Sequence, residues 1–303
     1  MYLRRLLLLL SLPWLLASCI PATSVPMKTV SFQRAPQTER RSLVVLLPGR
    51  GDTVVSYQKE GLVGMLTRRG EAVDILGVEA HVGYYAKRNL LQRLREDVIL
   101  PAKAEGYNEI WLAGISMGGL GAILYDAAYP GDLAGIFLLA PYLGDGTLRK
   151  EIVGSGGLAR WHPTAEGKPT LDREIWLTLR DYTSGSKSAG RVFLGVGTSD
   201  RFAADNAVFA AVLPAGQVAT APGGHDWPTW QALWPVLLDM PPCRQPQDAV
   251  TDALFCGKAS KQHPDAKADI DQKKGKGGEP EPVVQVPFPG AGSGDLPAHA
   301  VAH

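Results

Sequence analysis

In Glu109-Ile110-Trp111-Leu112-Ala113-Gly114-Ile115-Ser116-Met117-Gly118-Gly119-Leu120-Gly121-Ala122 an apolar run passes through a serine into a series of small residues. Residues 109–113 are a short apolar run, a strand signal. Residues 117–129 are small and apolar and end at Pro130-Gly131, a helix with its stop. Between them lies the pattern Gly114-x-Ser116-x-Gly118, which a chain holding 34 glycines also produces by chance. Its position gives it meaning. A serine on a sharp strand-to-helix turn is held in an unfavourable backbone conformation costing about 1–3 kcal/mol. Side chains two residues before and after would collide there, so both positions call for glycine. The helix behind the serine offers unpaired N–H groups and a positive dipole end. Ser116 is therefore expected to be a nucleophile rather than an exposed serine in a glycine-rich turn.

Outward from this point the chain alternates short apolar runs with amphipathic stretches. Residues 43–47, 72–78, 109–113, 135–139, 191–196 and 217–220 read as six strands. The runs are continuous rather than alternating, as in strands covered on both faces. Helices are expected over 57–69, 88–103 (kinked or ended by Pro101), 117–129, 203–213 and 227–238. The expected fold class is α/β, a mainly parallel central sheet with helices on both faces, and residues 28–33 add an antiparallel edge strand. One interval breaks the rhythm. Residues 145–190, between the fourth and fifth recognised strands, are too long for an ordinary connection and hold a helical patch at 174–181. They read as a cap over the site, or else as a surface excursion.

A serine hydroxyl needs a base to take its proton. Of six histidines, His263, His299 and His303 lie in a polar tail. His225, in Pro222-Gly223-Gly224-His225-Asp226-Trp227, follows the last strand on a glycine-rich loop that can carry an imidazole across the sheet edge. His81 follows the second strand and is expected at the substrate entrance, whereas His162 sits beside Trp161. Asp200, after residues 192–197, has the place needed to orient His225; Asp205 is the near alternative, and a helix N-cap is the plainer role for Asp200. Asp226 would point elsewhere. For the oxyanion, the N–H of Met117 is one candidate donor and that of Arg50, in Pro48-Gly49-Arg50-Gly51, the other, with Gly49 letting backbone approach substrate. Tyr84, Tyr85, Trp161 and Trp176 are candidates for an apolar or sugar-stacking substrate surface, though aromatic residues are more often core.

These pieces together (a strand followed by Pro48-Gly49-Arg50-Gly51, then Gly114-Ile115-Ser116-Met117-Gly118-Gly119, the strand-end Asp200, and Gly224-His225-Asp226-Trp227) resemble the α/β-hydrolase superfamily. The segment from His225 to Trp230 is similar to the His-Asp-Trp-x-x-Trp ending of its bacterial esterase branches. The resemblance spans about residues 42–240. It implies the α/β-hydrolase fold with an eight-stranded sheet in the full pattern, serine esterase activity through a Ser116–His225–Asp200 triad, and no metal or organic cofactor. Pro48 departs from the histidine that many members carry before the oxyanion glycine. Acyl transfer or peptide cleavage use the same constellation, and an inactive lipoprotein that kept the fold is the reading from another class.

The ends of the chain carry targeting signals. Residues 1–18, two arginines followed by an apolar run, read as a signal peptide too short to span a bilayer. They end in Leu16-Ala17-Ser18-Cys19, which looks like a bacterial lipobox with Cys19 as the lipidated residue. Residues 19–41 are expected to be a polar tether. The expected location is the bacterial cell envelope, lipid-anchored, the outer membrane before the periplasm, since Ile20 is not the aspartate of inner-membrane retention. Cys243 and Cys256 are expected to pair within 243–257, as two cysteines in an oxidising compartment do. Residues 258–303 are polar and glycine-rich and are expected to be disordered. A net charge of +1 gives no field to hold nucleic acid, so the expected partners are a small-molecule or lipid ester and the anchoring membrane.

Overall fold

The computed structural model describes residues 20–34, 41–68, 73–163, 170–183 and 191–240. The proposed signal peptide, Cys19, Cys243, Cys256 and the tail all lie outside the described residues.

Seven strands form one sheet: β1 (Thr29–Gln33), β2 (Ser42–Leu47), β3 (Val73–Val78), β4 (Glu109–Ile115), β5 (Gly135–Leu139), β6 (Val192–Gly197) and β7 (Val218–Ala221), in the order β1-β3-β2-β4-β5-β6-β7. β1 is antiparallel to β3, and every other pair is parallel. The six parallel strands and the antiparallel edge expected from sequence are thus present, and β4 sits in the middle. The eighth strand of the full superfamily pattern is absent among the described residues.

The continuous apolar runs are explained by two cores, one on each face of the sheet. Leu43, Val45 and Leu47 of β2 enter one core while Val44 and Leu46 enter the other. β4 divides the same way, Ile110 and Leu112 against Trp111, Ala113 and Ile115. The first face is covered by α3 (Val82–Ala86), α4 (Leu90–Leu94), a π turn (Arg95–Ile99), α5 (Leu100–Ala104), α6 (Met117–Ala128) and α9 (Ala203–Ala210). The second is covered by α1 (Val55–Lys59), α2 (Leu62–Thr67) and α10 (Trp227–Asp239).

Two local features have simple causes. The helix expected over 57–69 is two short helices, because Gly61 turns left-handed between them at φ 81°. Pro101 does not end the helix begun at Leu90, which continues to Ala104. The π turn just before the proline reroutes the hydrogen bonds that its missing N–H and its ring would otherwise break.

The interval 145–190 contains α7 (Arg149–Gly154) and α8 (Leu171–Arg180). Ile152, Leu158, Trp161, Ile175, Trp176, Leu179 and Tyr182 from its described parts all belong to the first core. These parts therefore extend one layer of the sandwich and share its core.

Candidate active site

Ser116 follows the last residue of β4 and precedes α6 with φ 53° and ψ −114°, a conformation an L-residue adopts only when its surroundings impose it. They do so here. Its N–H donates to the carbonyl of Leu139 at 2.9 Å, and its own carbonyl accepts from Tyr142 N–H at 3.0 Å and Leu120 N–H at 3.2 Å. The end of β5 thus grips both backbone groups of the serine.

The flanking glycines are required by close approach. A Cβ on Gly114 would lie 2.3 Å from the Gly118 carbonyl carbon and oxygen. A Cβ on Gly118 would lie 2.1 Å from the Leu47 oxygen and 2.8 Å from that of Pro48. The elbow and the loop after β2 are therefore in backbone contact. In that loop Asp52 N–H donates to Gly49 O at 3.2 Å, closing a turn through Arg50 and the left-handed Gly51. A Cβ on Gly49 would sit 3.6 Å from Ser116 Cβ, so the candidate oxyanion loop runs directly beside the serine.

At the ends of β6 and β7 stand the other two expected residues. His225 Nδ1 lies 2.8 Å from Asp200 Oδ2. A carboxylate only accepts, so the ring proton of this tautomer is on Nδ1 and Nε2 carries a lone pair. Asp200 is buried, and its Oδ1 accepts from Phe202 N–H at 2.8 Å. It therefore orients the imidazole while closing the turn after β6; the N-cap of α9 is Phe202, without a side-chain cap bond, so the plainer N-cap role is not the one Asp200 takes. The His225 ring is clamped edge-on between Phe202, centroids 4.9 Å apart, and Trp230, 5.1 Å. Phe202 also touches Tyr142 at 5.4 Å, linking the histidine to the residue that holds the Ser116 carbonyl.

The alternatives resolve by their partners. Asp205 pairs with Arg149 at 3.1 Å. Asp226 caps α10, accepting from Thr229 N–H at 3.1 Å.

The expected substrate surface requires correction. Trp161 and Trp176 are fully buried in the first core, and Trp161 donates its ring N–H to Glu151 at 2.7 Å, so neither presents anything to a ligand. Tyr84 is buried, with its hydroxyl on Ser24 at 3.1 Å. His81 caps α3, its Nδ1 accepting from Gly83 N–H at 3.1 Å. Tyr85 is close to the site but works from behind: its hydroxyl donates to the Met117 carbonyl at 2.7 Å. Burial pushes the Tyr85 phenol far above its ordinary range, so it stays a neutral donor.

Asp52, Tyr142, Phe202 and Trp230 border the site without having been singled out as site residues by sequence. Only Trp230 carried a signal, three residues beyond Trp227 in a helix entered from His225. Burial raises Asp52 above the usual carboxylate range, with a smaller opposing effect from Ser56. Among the described residues no cluster of His, Cys, Asp or Glu could hold a metal.

Comparison with known proteins places this geometry in context. The Esterase family, described as "Putative esterase", matches residues 37–238. No curated protein matches. Among solved structures, the chain is similar to S-formylglutathione hydrolase from Staphylococcus aureus, with 16% identity, TM-score 0.47, and 74% of this chain and 100% of that one covered. It is also similar to Est1E from Butyrivibrio proteoclasticus, with 17% identity, TM-score 0.43, and 69% and 90% covered.

Proposed function

The chain belongs to the Esterase family, and from that premise we propose that it cleaves carboxylic esters as a serine hydrolase through an acyl-enzyme. The observation that carries this reading is the strained Ser116, locked at φ 53° at the same sheet edge as the hydrogen-bonded pair His225–Asp200.

In this mechanism Ser116 Oγ attacks the ester carbonyl carbon while His225 Nε2 takes its proton. The carbonyl π electrons move onto oxygen, and the oxyanion is held by the N–H groups of Met117 and Arg50. Asp200 accepts from Nδ1–H throughout and stabilises the imidazolium. Collapse of the tetrahedral species breaks the bond to the alkoxy oxygen, which leaves with the proton from His225. Water then attacks the acyl carbon, gives a proton to His225, and the carboxylic acid departs as Oγ recovers its proton. Preorganised donors at the end of a helix need no reorientation as charge develops, and the loss of one costs about 10²- to 10³-fold in rate.

Rapid mixing with p-nitrophenyl acetate, acid quenching and peptide mass analysis test this directly. Acetyl is expected on Ser116; turnover with acetyl on another residue, or with none trapped, would contradict it.

The same reading includes export and a lipid anchor on Cys19, with the body held in the bacterial cell envelope and the outer membrane preferred. Its support is the run Leu16-Ala17-Ser18-Cys19. In that oxidising compartment Cys243 and Cys256 form a disulfide. The substrate is a small-molecule or lipid ester.

A further inference from the structure

Residues 20–28, expected as part of a tether leading away, are fastened to the body. Tyr84 hydroxyl donates to the Ser24 carbonyl at 3.1 Å and accepts from Ser24 N–H at 3.1 Å. Met27 is buried, and its N–H donates to Asp97 Oδ2 at 2.8 Å. Lys87 Nζ reaches Thr23 Oγ1 at 3.0 Å, and the Pro21 carbonyl lies so near Gly83 that a Cβ there would be 2.1 Å from it. The Lys28 carbonyl then accepts from Glu79 N–H at 2.9 Å, and the chain enters β1.

The direction of β1 fixes where this strap lies. Thr29, the first residue of β1, pairs with Val78, the last of β3. Residues 20–28 therefore sit at the carboxyl edge of the sheet. That is the edge where β4, β6 and β7 deliver Ser116, Asp200 and His225. α3, which the strap grips through Tyr84, touches the elbow through the next residue, Tyr85.

We infer that the strap turns the carboxyl edge of the sheet, and the site on it, toward the membrane that holds residue 19, so that the substrate is an ester presented at that membrane surface. This rests on the Cys19 anchor and the serine-esterase reading. Ser24 lies five residues beyond Cys19 in the chain, a reach of at most ~18 Å. A six-residue strand is itself ~20 Å long, so the amino edge cannot face the bilayer while the strap is docked. The strap's outer surface suits an interface: Ile20 is 58% exposed and Val25 69%, with Lys28 and Lys87 exposed beside them. Apolar side chains flanked by cations favour an anionic lipid surface.

The test uses the full chain, reconstituted after export into vesicles of phosphatidylethanolamine and phosphatidylglycerol containing a doxyl-labelled quencher lipid. In a Cys243→Ser, Cys256→Ser background, a fluorophore is placed at Thr53→Cys, on the carboxyl edge, or at Asn108→Cys, on the amino edge. With the edges ~20 Å apart, quenching at 53 should exceed that at 108 by on the order of twofold. A 20-residue Gly/Ser spacer between Cys19 and Ile20, with an r.m.s. reach of ~25 Å, should abolish the difference and leave turnover of a water-soluble ester unchanged. Equal or reversed quenching in vesicle-bound protein without the spacer overturns the inference while the anchor stands. A chain that does not partition onto vesicles, or partitions equally well as Cys19→Ala, refutes the anchor and this inference with it. Loss of soluble-ester turnover in Ser116→Ala is the separate check on the esterase reading.

Discussion

At Gly118 a methyl group would meet main chain, not a side chain that can swing aside. Gly118→Ala must push the Leu47–Pro48 backbone away from the elbow, because the Cβ would lie 2.1 Å from the Leu47 oxygen. Overpacking of this kind costs about 1–3 kcal/mol, and moving the Gly49–Arg50 loop away from Ser116 should lower ester turnover about 100-fold. Urea unfolding and steady-state kinetics check the two effects. The need for glycine at 114 and 118 was legible in sequence, since it follows from the backbone of any strand-serine-helix turn. The role of Tyr85 was not, because nothing in the residues around it says where its hydroxyl ends. That hydroxyl holds the Met117 carbonyl, at the far end of the residue whose N–H is the candidate oxyanion donor. Tyr85 is thus a positioning residue. Tyr85→Phe should reduce kcat about 3- to 10-fold with KM within about twofold, the signature of an interaction felt in the transition state. A change in KM alone would return Tyr85 to substrate binding.

At the scale of elements, Asp132 joins three helical pieces. It accepts from Lys103 Nζ at 2.7 Å and Tyr125 hydroxyl at 2.9 Å, and pairs with Arg95 at 3.4 Å. Burial works to raise its carboxyl, but the hydrogen bonds and charges of these partners outweigh it and hold it below the usual carboxylate range. A depressed folded-state value means the stabilisation is full above the unfolded value, near 4, and is lost as pH falls through the folded one. Asp132→Asn should therefore cost about 1 kcal/mol at pH 7, with the deficit shrinking below about pH 4. Thermal unfolding across that range measures it; a deficit independent of pH would contradict the assignment. Elements marked by an unbroken apolar run or by several helical turns were legible in sequence: β5 spans 135–139 as read, and α6 begins at the residue after Ser116. The short α3 and α7 were not, because five or six residues give too little periodicity to separate a helix from a turn. The glycine that splits α1 from α2 was visible, but its left-handed φ was not.

At the scale of the whole molecule, seven strands and two facing cores bring residues more than a hundred positions apart to one edge. Strand order was only partly readable. Alternation of strand and helix implies a parallel sheet, but the sequence does not say that β3 lies outside β2, or that the interval 145–190 adds Ile152, Trp161, Trp176 and Leu179 to an existing core. Trp161 was offered to substrate for that reason. An aromatic residue in an irregular stretch looks the same whether it lines a mouth or plugs a core, and the packing partners that decide it lie far away in sequence. The pairing of His225 with Asp200 was readable because both follow parallel strands, and parallel strands deliver their ends to a common edge. Activation of Ser116 at this edge is read out by covalent labelling of the folded protein with a fluorophosphonate. One label per chain is expected, on Ser116, and none in a Ser116→Ala variant that retains the wild-type circular dichroism spectrum. A folded wild-type chain that takes up no label, or a Ser116→Ala variant that still takes it up, would contradict it.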